Sequence, residues 1–89
     1  MSEMYLEAPK GEETVTAAKN ESLTVSNYKP AEDGTYEYYK FENGVYTAIE
    51  GKTVTVGENN FQIAIVKVSI VDDIVERTFV KRVDVTVQA

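Results

Sequence analysis

The side chains that could carry out chemistry in this chain are carboxylates, lysines, tyrosines and hydroxyls, because its 89 residues include no His and no Cys. The commonest general base, the commonest metal ligand and the best nucleophile are therefore missing. Adjacent carboxylates occur at Glu12-Glu13, Glu32-Asp33 and Asp72-Asp73. The last two pairs fall in predicted loops, where oxygen ligands can gather Ca²⁺, but neither has the alternating acidic spacing of a dedicated ion cage. We predict solvated turn carboxylates and no catalytic residue, metal site or cofactor, with weak Ca²⁺ binding at either loop pair left open.

The charge balance narrows the class of partner. Fifteen acidic against nine basic residues give a net charge of −6, which repels nucleic-acid phosphates and anionic lipid surfaces. The longest apolar run, residues 63–66, is far too short to span a bilayer. The opening MSEMYLEAP has no basic region followed by an apolar stretch, as a secretion signal would. We predict no nucleic-acid partner and no membrane insertion, and the compartment stays open.

Aromatic side chains are the residues best suited to contact a partner. They crowd one segment, in which we expect Tyr36 and Tyr38 to point inward. The remaining aromatics at or near it are candidates for a partner surface: Tyr28, Tyr39, Phe41 and Tyr46. Stiff rings with a polar tip suit protein interfaces, and they can also stack on sugars. The alternative is that they cover the ends of a sheet or their cross-strand neighbours.

Short apolar segments separated by turn residues predict the strands that position these side chains. The segments are residues 14–18, 22–28, 35–41, 45–49 and 52–56, followed by a long hairpin over 61–87. Residues 45–56 could form two short strands or one strand broken at Gly51. No window has the apolar spacing of a helix, so we predict an all-β domain of six or seven strands with little more than a helical turn near Pro30.

Residues that favour turns or flexible segments lie between these strands and predict the boundaries of the domain and of its strands. Residues 1–13 are rich in Glu and include Pro9 and Gly11, which predicts a flexible leader ahead of one domain over residues 14–89. The first two strands, with Val15, Ala17, Leu23 and Val25 facing inward, are expected to form an outer pair. Asn43-Gly44 predicts a tight hairpin turn.

The closing hairpin is apolar on both faces at its start. One parity holds Ala64 and Val66, and the opposite parity holds Phe61, Ile63 and Ile65. If Ala64 and Val66 point inward, the other three residues form an outer apolar stripe that either the early strands or another chain must cover.

The last strand changes phase along its length, which predicts a β-bulge near Lys81 and Arg82. Arg77 joins these two residues in a local positive patch. We interpret the patch as charge that discourages edge pairing of the last strand.

Two stretches carry a family resemblance. Residues 35–40 (TYEYYK), followed by Asn43-Gly44-Val45 and Ile49-Glu50-Gly51, resemble the third strand and following turn of immunoglobulin-like domains, in which Trp-Tyr-Lys precedes Asn-Gly or Asp-Gly. Residues 60–68 and 83–87 look like the two closing strands of bacterial and phage immunoglobulin-like or polycystic-kidney-disease repeats. The resemblance spans roughly residues 14–88 and implies an immunoglobulin-like antiparallel β-sandwich. Tyr38 stands where a core Trp is usual, and both disulfide cysteines are missing.

A second register of the same resemblance is open. Residues 23–28 with 32–36 also resemble the corner that precedes the sixth strand of such domains. About 20 residues precede Leu23 and more than 50 follow Tyr36, which favours the third-strand register.

The resemblance implies a bacterial or phage setting at a cell surface or virion, where such domains decorate, space other domains, or bind proteins and glycans. We therefore predict a noncatalytic protein-binding or structural accessory module, acting as spacer, decoration or adhesion domain. The alternative is a carbohydrate-binding module that uses the exposed aromatics. The partner would be a protein or a glycan, and the oligomeric state stays open.

Overall fold

Seven β-strands account for most of residues 11–88, the part of the chain described by the computed structural model. The strands are β1 (Glu13–Ala18), β2 (Ser22–Thr24), β3 (Thr35–Glu42), β4 (Val45–Ala48), β5 (Thr53–Thr55), β6 (Phe61–Val71) and β7 (Ile74–Gln88). The helical part of these residues is one 3₁₀ turn over Val25–Tyr28. The prediction of a mostly β chain with six or seven strands is confirmed for the described residues.

The strands form a five-stranded sheet in the order β1-β7-β6-β3-β4 and a two-stranded sheet made of β2 and β5. Neighbours are antiparallel except β1 and β7, which run parallel, with Val15 opposite Val85. The predicted antiparallel arrangement is therefore wrong for this pair, and so is the outer pair of the first two strands. The turn after β1 is tied to the end of β5, because the Asn20 N–H donates to the Val56 carbonyl at 2.8 Å and the Val56 N–H donates to the Glu21 carbonyl at 2.8 Å. These hydrogen bonds lie where the chain passes from the large sheet to the small one.

A buried apolar cluster lies between the two sheets. The small sheet and its 3₁₀ turn contribute Leu23, Val25, Val54 and Val56, and the large sheet contributes Ala17, Phe61, Ile63, Ile65, Val83 and Val85. Of the two alternatives for Phe61, Ile63 and Ile65, cover by the early strands is the one observed, so these residues belong to the core and do not form a partner surface. Ala64 and Val66 are also buried, on the opposite face of β6. The alternation of residues along β6 could not show which face points to the core, because six consecutive residues of this strand are buried.

The second strand is shorter than the predicted 22–28. It ends at Thr24, and the 3₁₀ turn follows, in which Val25 is fully buried and its N–H donates to the Lys52 carbonyl at 2.9 Å. Ser26 and Asn27 have short polar side chains that favour turns over strand ladders. The turn keeps Val25 in the core while redirecting the chain toward β3.

A bulge interrupts the pairing of β6 with β7. Ile65 lies opposite Lys81 while Val66 lies opposite Phe79, so Val80 is an extra residue on β7. This confirms the predicted bulge near Lys81. Val80 packs against the core, and the residues on either side of it change face as a result. Phe79 is thereby directed to the outer face of the large sheet, the face opposite the small sheet.

Two tight turns fix the registers of the hairpins. Asn43 and Gly44 have φ of 53° and 80°, and Asp72 and Asp73 have φ of 53° and 65°. Positive φ at both central residues is the signature of the two-residue turn that matches strand twist, and the Asn43-Gly44 prediction is confirmed. Beyond Val68, the last β6 residue paired with β3, three cross-strand pairs continue to the second turn. We call residues 69–76 the hairpin arm.

The predicted leader boundary at residue 13 falls inside the fold. β1 begins at Glu13, the Glu12 N–H donates to the Arg82 carbonyl at 2.8 Å, and the Gly11 N–H donates to Asp84 Oδ2 at 3.0 Å. Residues 11–13 therefore run along β7. The rest of the predicted leader, residues 1–10, lies outside the described residues.

Candidate functional site

The predicted partner-binding aromatics separate onto the two faces of the large sheet. Tyr39, Phe41 and Tyr46 lie on the outer face, as their cross-strand pairing with Ala64, Gln62 and Phe41 requires. Tyr28 instead packs against the core cluster, together with Tyr36 and Tyr38. The expectation that Tyr36 and Tyr38 face inward is confirmed, and Tyr28 does not belong with the other three candidates.

Four side chains on the outer face contact one another, and we call them the outer aromatic cluster: Phe41, Tyr46, Phe79 and Arg82. The ring centroids of Phe41 and Tyr46 are 4.3 Å apart, and those of Tyr46 and Phe79 are 5.7 Å apart. The Arg82 guanidinium carbon lies 4.5 Å from the Phe79 ring centroid and 5.7 Å from that of Tyr46. Arg82 Nη1 also donates to the Tyr46 hydroxyl at 2.8 Å. Stacking and hydrogen bonding together hold the guanidinium in one place.

A turn, a bulge and a small side chain bring the four residues of this cluster together. The Asn43-Gly44 turn sets the β3–β4 register in which Phe41 lies directly opposite Tyr46. The bulge at Val80 directs Phe79 to the same face. Arg82, two residues beyond the bulge, lies opposite Ala64, whose small side chain leaves room for the guanidinium above it.

A polar network supports Arg82 from the side of β6. Arg82 Nη1 donates to Gln62 Oε1 at 3.3 Å, and Gln62 Nε2 donates to Asp84 Oδ1 at 2.8 Å. Gln62 is buried. Since a buried amide is costly unless it is hydrogen-bonded, this network fixes the Gln62 side chain and orients the cation of the cluster.

An ion pair lies beside the cluster on the same face. Arg77 Nε donates to Glu37 Oε1 at 2.9 Å, and the Tyr39 hydroxyl donates to the same oxygen at 3.0 Å. The Arg77 hydrogen bond is the main cause that holds the pKa of Glu37 below its usual range, and the Tyr39 hydrogen bond adds to it. The hydrogen bond to Glu37 in turn raises the pKa of the Tyr39 phenol. Val66 is buried between its cross-strand partners Glu37 and Phe79.

Two grooves lie elsewhere on the surface of the described residues. One, of about 460 Å³, lies where β3 ends and β6 begins, and its polar lining includes Glu42, Asn43, Asn60 and Asp84. The pKa of Glu42 is lowered first by its hydrogen bond with Lys40 and then by that with Asn59. The other groove, of about 330 Å³, lies beside Tyr38 and Ile49.

The predicted carboxylate pairs do not assemble into larger acidic groups. Across residues 11–88, no three or more His, Cys, Asp or Glu side chains gather in a way that could hold a metal ion. Asp72 and Asp73 form the turn of the hairpin arm, and Glu32 pairs with Lys67 Nζ at 2.9 Å. The outer aromatic cluster is therefore the candidate functional site.

Comparison with known proteins does not assign the chain to a family. No protein-family model, curated protein or solved structure matches the chain. Within the described part of the chain, no helix combines the length and apolar character required to cross a bilayer.

Sequence reasoning misses two members of the cluster. Phe79 is not among the predicted contact residues, and Arg82 is interpreted there only as protection of a strand edge. The phase change of the last strand could have revealed both residues. Phe79 and Arg82 are three positions apart and would lie on opposite faces of a regular strand, but the extra residue Val80 puts them on the same face.

Proposed function

We propose that this chain is an immunoglobulin-like β-sandwich domain that acts as a noncatalytic protein-binding or structural accessory module, with the outer aromatic cluster as its contact surface. The cell-surface or virion setting implied by the family resemblance is part of the same proposal.

The strand order supports the immunoglobulin-like assignment. In variable-type immunoglobulin domains one sheet contains strands G, F, C and C′, and strands B and E are neighbours in the other. The order β7-β6-β3-β4 and the pair β2-β5 correspond to these two sets. Tyr38, which stands where the resemblance expects a core Trp, lies on β3 and packs against the core.

The single observation that carries the binding role is the composition and order of the exposed cluster. Phe79 is 52% and Tyr46 is 41% exposed, and aromatic residues and Arg are enriched at protein interfaces. The hydrogen bond from Arg82 to Tyr46 and the stacked rings hold these side chains in place before a partner arrives. Little side-chain entropy is then lost on binding.

The same geometry favours a protein partner over a glycan. A sugar ring stacks on the flat face of an exposed aromatic ring. Phe41 and Tyr46 already pack against each other at 4.3 Å, and the Arg82 guanidinium lies over Phe79 at 4.5 Å. Tyr28, the other ring proposed for sugar contact, is on the core side.

Photo-crosslinking tests the contact surface even while the partner is unidentified. We would substitute p-benzoylphenylalanine for Tyr46, on the outer face, and in a matched control for Thr47, its exposed neighbour on the other face of β4. We expect a discrete crosslinked protein from position 46 and not from position 47. Equal crosslinking at both positions, or none at position 46, would refute the assignment of this face.

The identified partner then allows a quantitative test. With the purified partner in calorimetry, we expect Phe79→Ala to weaken binding about tenfold or more and Thr47→Ala to change it less than about twofold. A glycan array with Tyr39→Ala and Tyr46→Ala variants covers the alternative. If the chain binds a glycan and both substitutions abolish this binding, the partner is a carbohydrate and not a protein.

A further inference from the structure

The hairpin arm exposes apolar side chains on both of its faces. Ile70 and Val75 form a cross-strand pair on the outer face, and Val71 and Ile74 form the next pair on the opposite face. Ile70 is 71% and Ile74 is 63% exposed, and no other strand of residues 11–88 pairs with the arm. A two-stranded hairpin with uncovered faces is marginally stable in water. An exposed apolar surface on such a ribbon marks a contact site.

We propose that the partner of the outer face is a second copy of this chain. In this dimer the β6–β7 hairpins of the two copies pack antiparallel, outer face to outer face, about a two-fold axis. The inference rests on the proposed function, because it names the partner of the same surface.

The spacing of apolar residues along the hairpin fits this arrangement. A two-fold axis passing near Arg77 relates residues equally distant from it on β7. Val75 of one copy then lies near Phe79 of the other, and Ile70, directly opposite Val75, lies beside the same ring. Each copy thus covers the exposed Phe79 of its partner with the outer pair of its own arm.

The charges at the two ends of the hairpin favour the same orientation, and Arg77, which lies at the axis in both copies, is paired with Glu37. Asp72, Asp73 and Glu76 give the arm an acidic end, and none of the three forms an ion pair within residues 11–88. The cation of Arg82 likewise has no carboxylate partner there, since it donates to Tyr46 and Gln62. Antiparallel packing places the acidic turn of one copy near Arg82 of the other, and a parallel arrangement would bring the two acidic turns together.

Head-to-tail association is disfavoured by the same charges. The 460 Å³ groove at the far end of the sheet is lined by Asp84, whose carboxylate repels the acidic turn of an incoming arm, and by Glu42, whose charge is paired with Lys40. The two-fold arrangement closes on itself, and it does not lead to open chains.

The available area indicates a weak dimer. On the outer face, Ile70, Val75 and Phe79 present on the order of 300 Å² of apolar surface per copy. Two copies together bury on the order of 600 Å² of apolar surface, which is below the roughly 1,000 Å² of a stable specific interface. Association is therefore expected to be weak and to be favoured at high protein concentration.

Sedimentation velocity between about 10 µM and 1 mM protein tests this inference. We expect a monomer–dimer equilibrium for the full chain. Ile70→Thr with Val75→Thr should weaken dimerisation about tenfold or more. The matched control, Val71→Thr with Ile74→Thr, removes the same two residue types from the opposite face of the arm and should change it less than about twofold. Thr keeps the β-branch that the hairpin favours, so both variants retain the strand.

A turn variant separates dimer contact from hairpin stability. Asp72→Asn with Asp73→Gly installs a stronger turn sequence but removes both acidic charges. We expect dimerisation about three- to tenfold weaker in spite of the more stable hairpin. Unchanged or tighter dimerisation would overturn the antiparallel charge pairing.

Three results would overturn the inference as a whole: a monomer throughout the concentration range, a dimer that both pair variants retain, or a dimer that both variants lose equally. Each can be told apart from failure of the proposed function. A monomer that still crosslinks from position 46 to a different protein keeps the contact surface and removes only the second copy as its partner.

Discussion

The same substitution at two positions of β6 tests which face of the strand is the core. Ile63 is fully buried between the sheets, whereas Ile70 is 71% exposed on the hairpin arm. Ile63→Ala removes three carbon atoms from a close-packed site and leaves a cavity, which costs about 3–4 kcal/mol. Ile70→Ala removes the same atoms from a side chain that is mostly in water, and its expected cost is below about 1 kcal/mol.

The effect is large for a chain of this size, because the whole domain is stabilised by about 5–10 kcal/mol. Urea unfolding, followed by circular dichroism at about 1 µM protein so that self-association does not contribute, measures both variants under equal conditions. We expect Ile63→Ala to lower the midpoint by about 2–3 M urea and Ile70→Ala by less than about 1 M. Equal losses at the two positions, or a harmless Ile63→Ala, would show that the Ile63 face is not the core, and the assignment of the outer face would be lost with it.

Three further predictions concern the backbone and the ion pair. Gly11→Ala places a Cβ 2.8 Å from the Asp84 backbone nitrogen, so we expect a loss of about 1–3 kcal/mol in urea unfolding. Gly44→Ala has free space for its Cβ but keeps φ near +80°, which should cost about 1–2 kcal/mol through strain alone. Because the pKa of Glu37 is lowered, its contribution is present above the unfolded value and lost as the pH falls through the folded one. Glu37→Gln should therefore flatten the fall in thermal stability below about pH 4. An unchanged pH profile in this variant would mean that its ion pair with Arg77 adds nothing.

Local chemistry explains why parts of the fold could be predicted from the sequence. The Asn43-Gly44 turn requires positive φ at two consecutive residues, a conformation that few other dipeptides adopt without strain. The long closing hairpin follows from β-branched residues over 61–87 with no room for a helix. The inward position of Tyr36 and Tyr38 follows from alternation along a single strand.

The remaining features depend on tertiary contacts, which the alternation of apolar and polar residues along a strand does not predict. Phe61, Ile63 and Ile65 could not be assigned to a face because both faces of β6 are apolar at its start. The answer depends on which side the small sheet covers. Likewise, β1 pairs with β7, and the turn that follows β1 is hydrogen-bonded to Val56 beside the other sheet. Phe79 reaches the outer face only through the extra residue at Val80.

The parallel pairing of β1 with β7 joins the first strand of the domain to its last. During synthesis, β1 leaves the ribosome long before residues 83–88 exist, and it must wait without its neighbour until the end of the domain has emerged. In such a topology, most of the chain becomes ordered late in folding, when segments that are far apart in the sequence pair with each other. Folding therefore takes milliseconds to seconds.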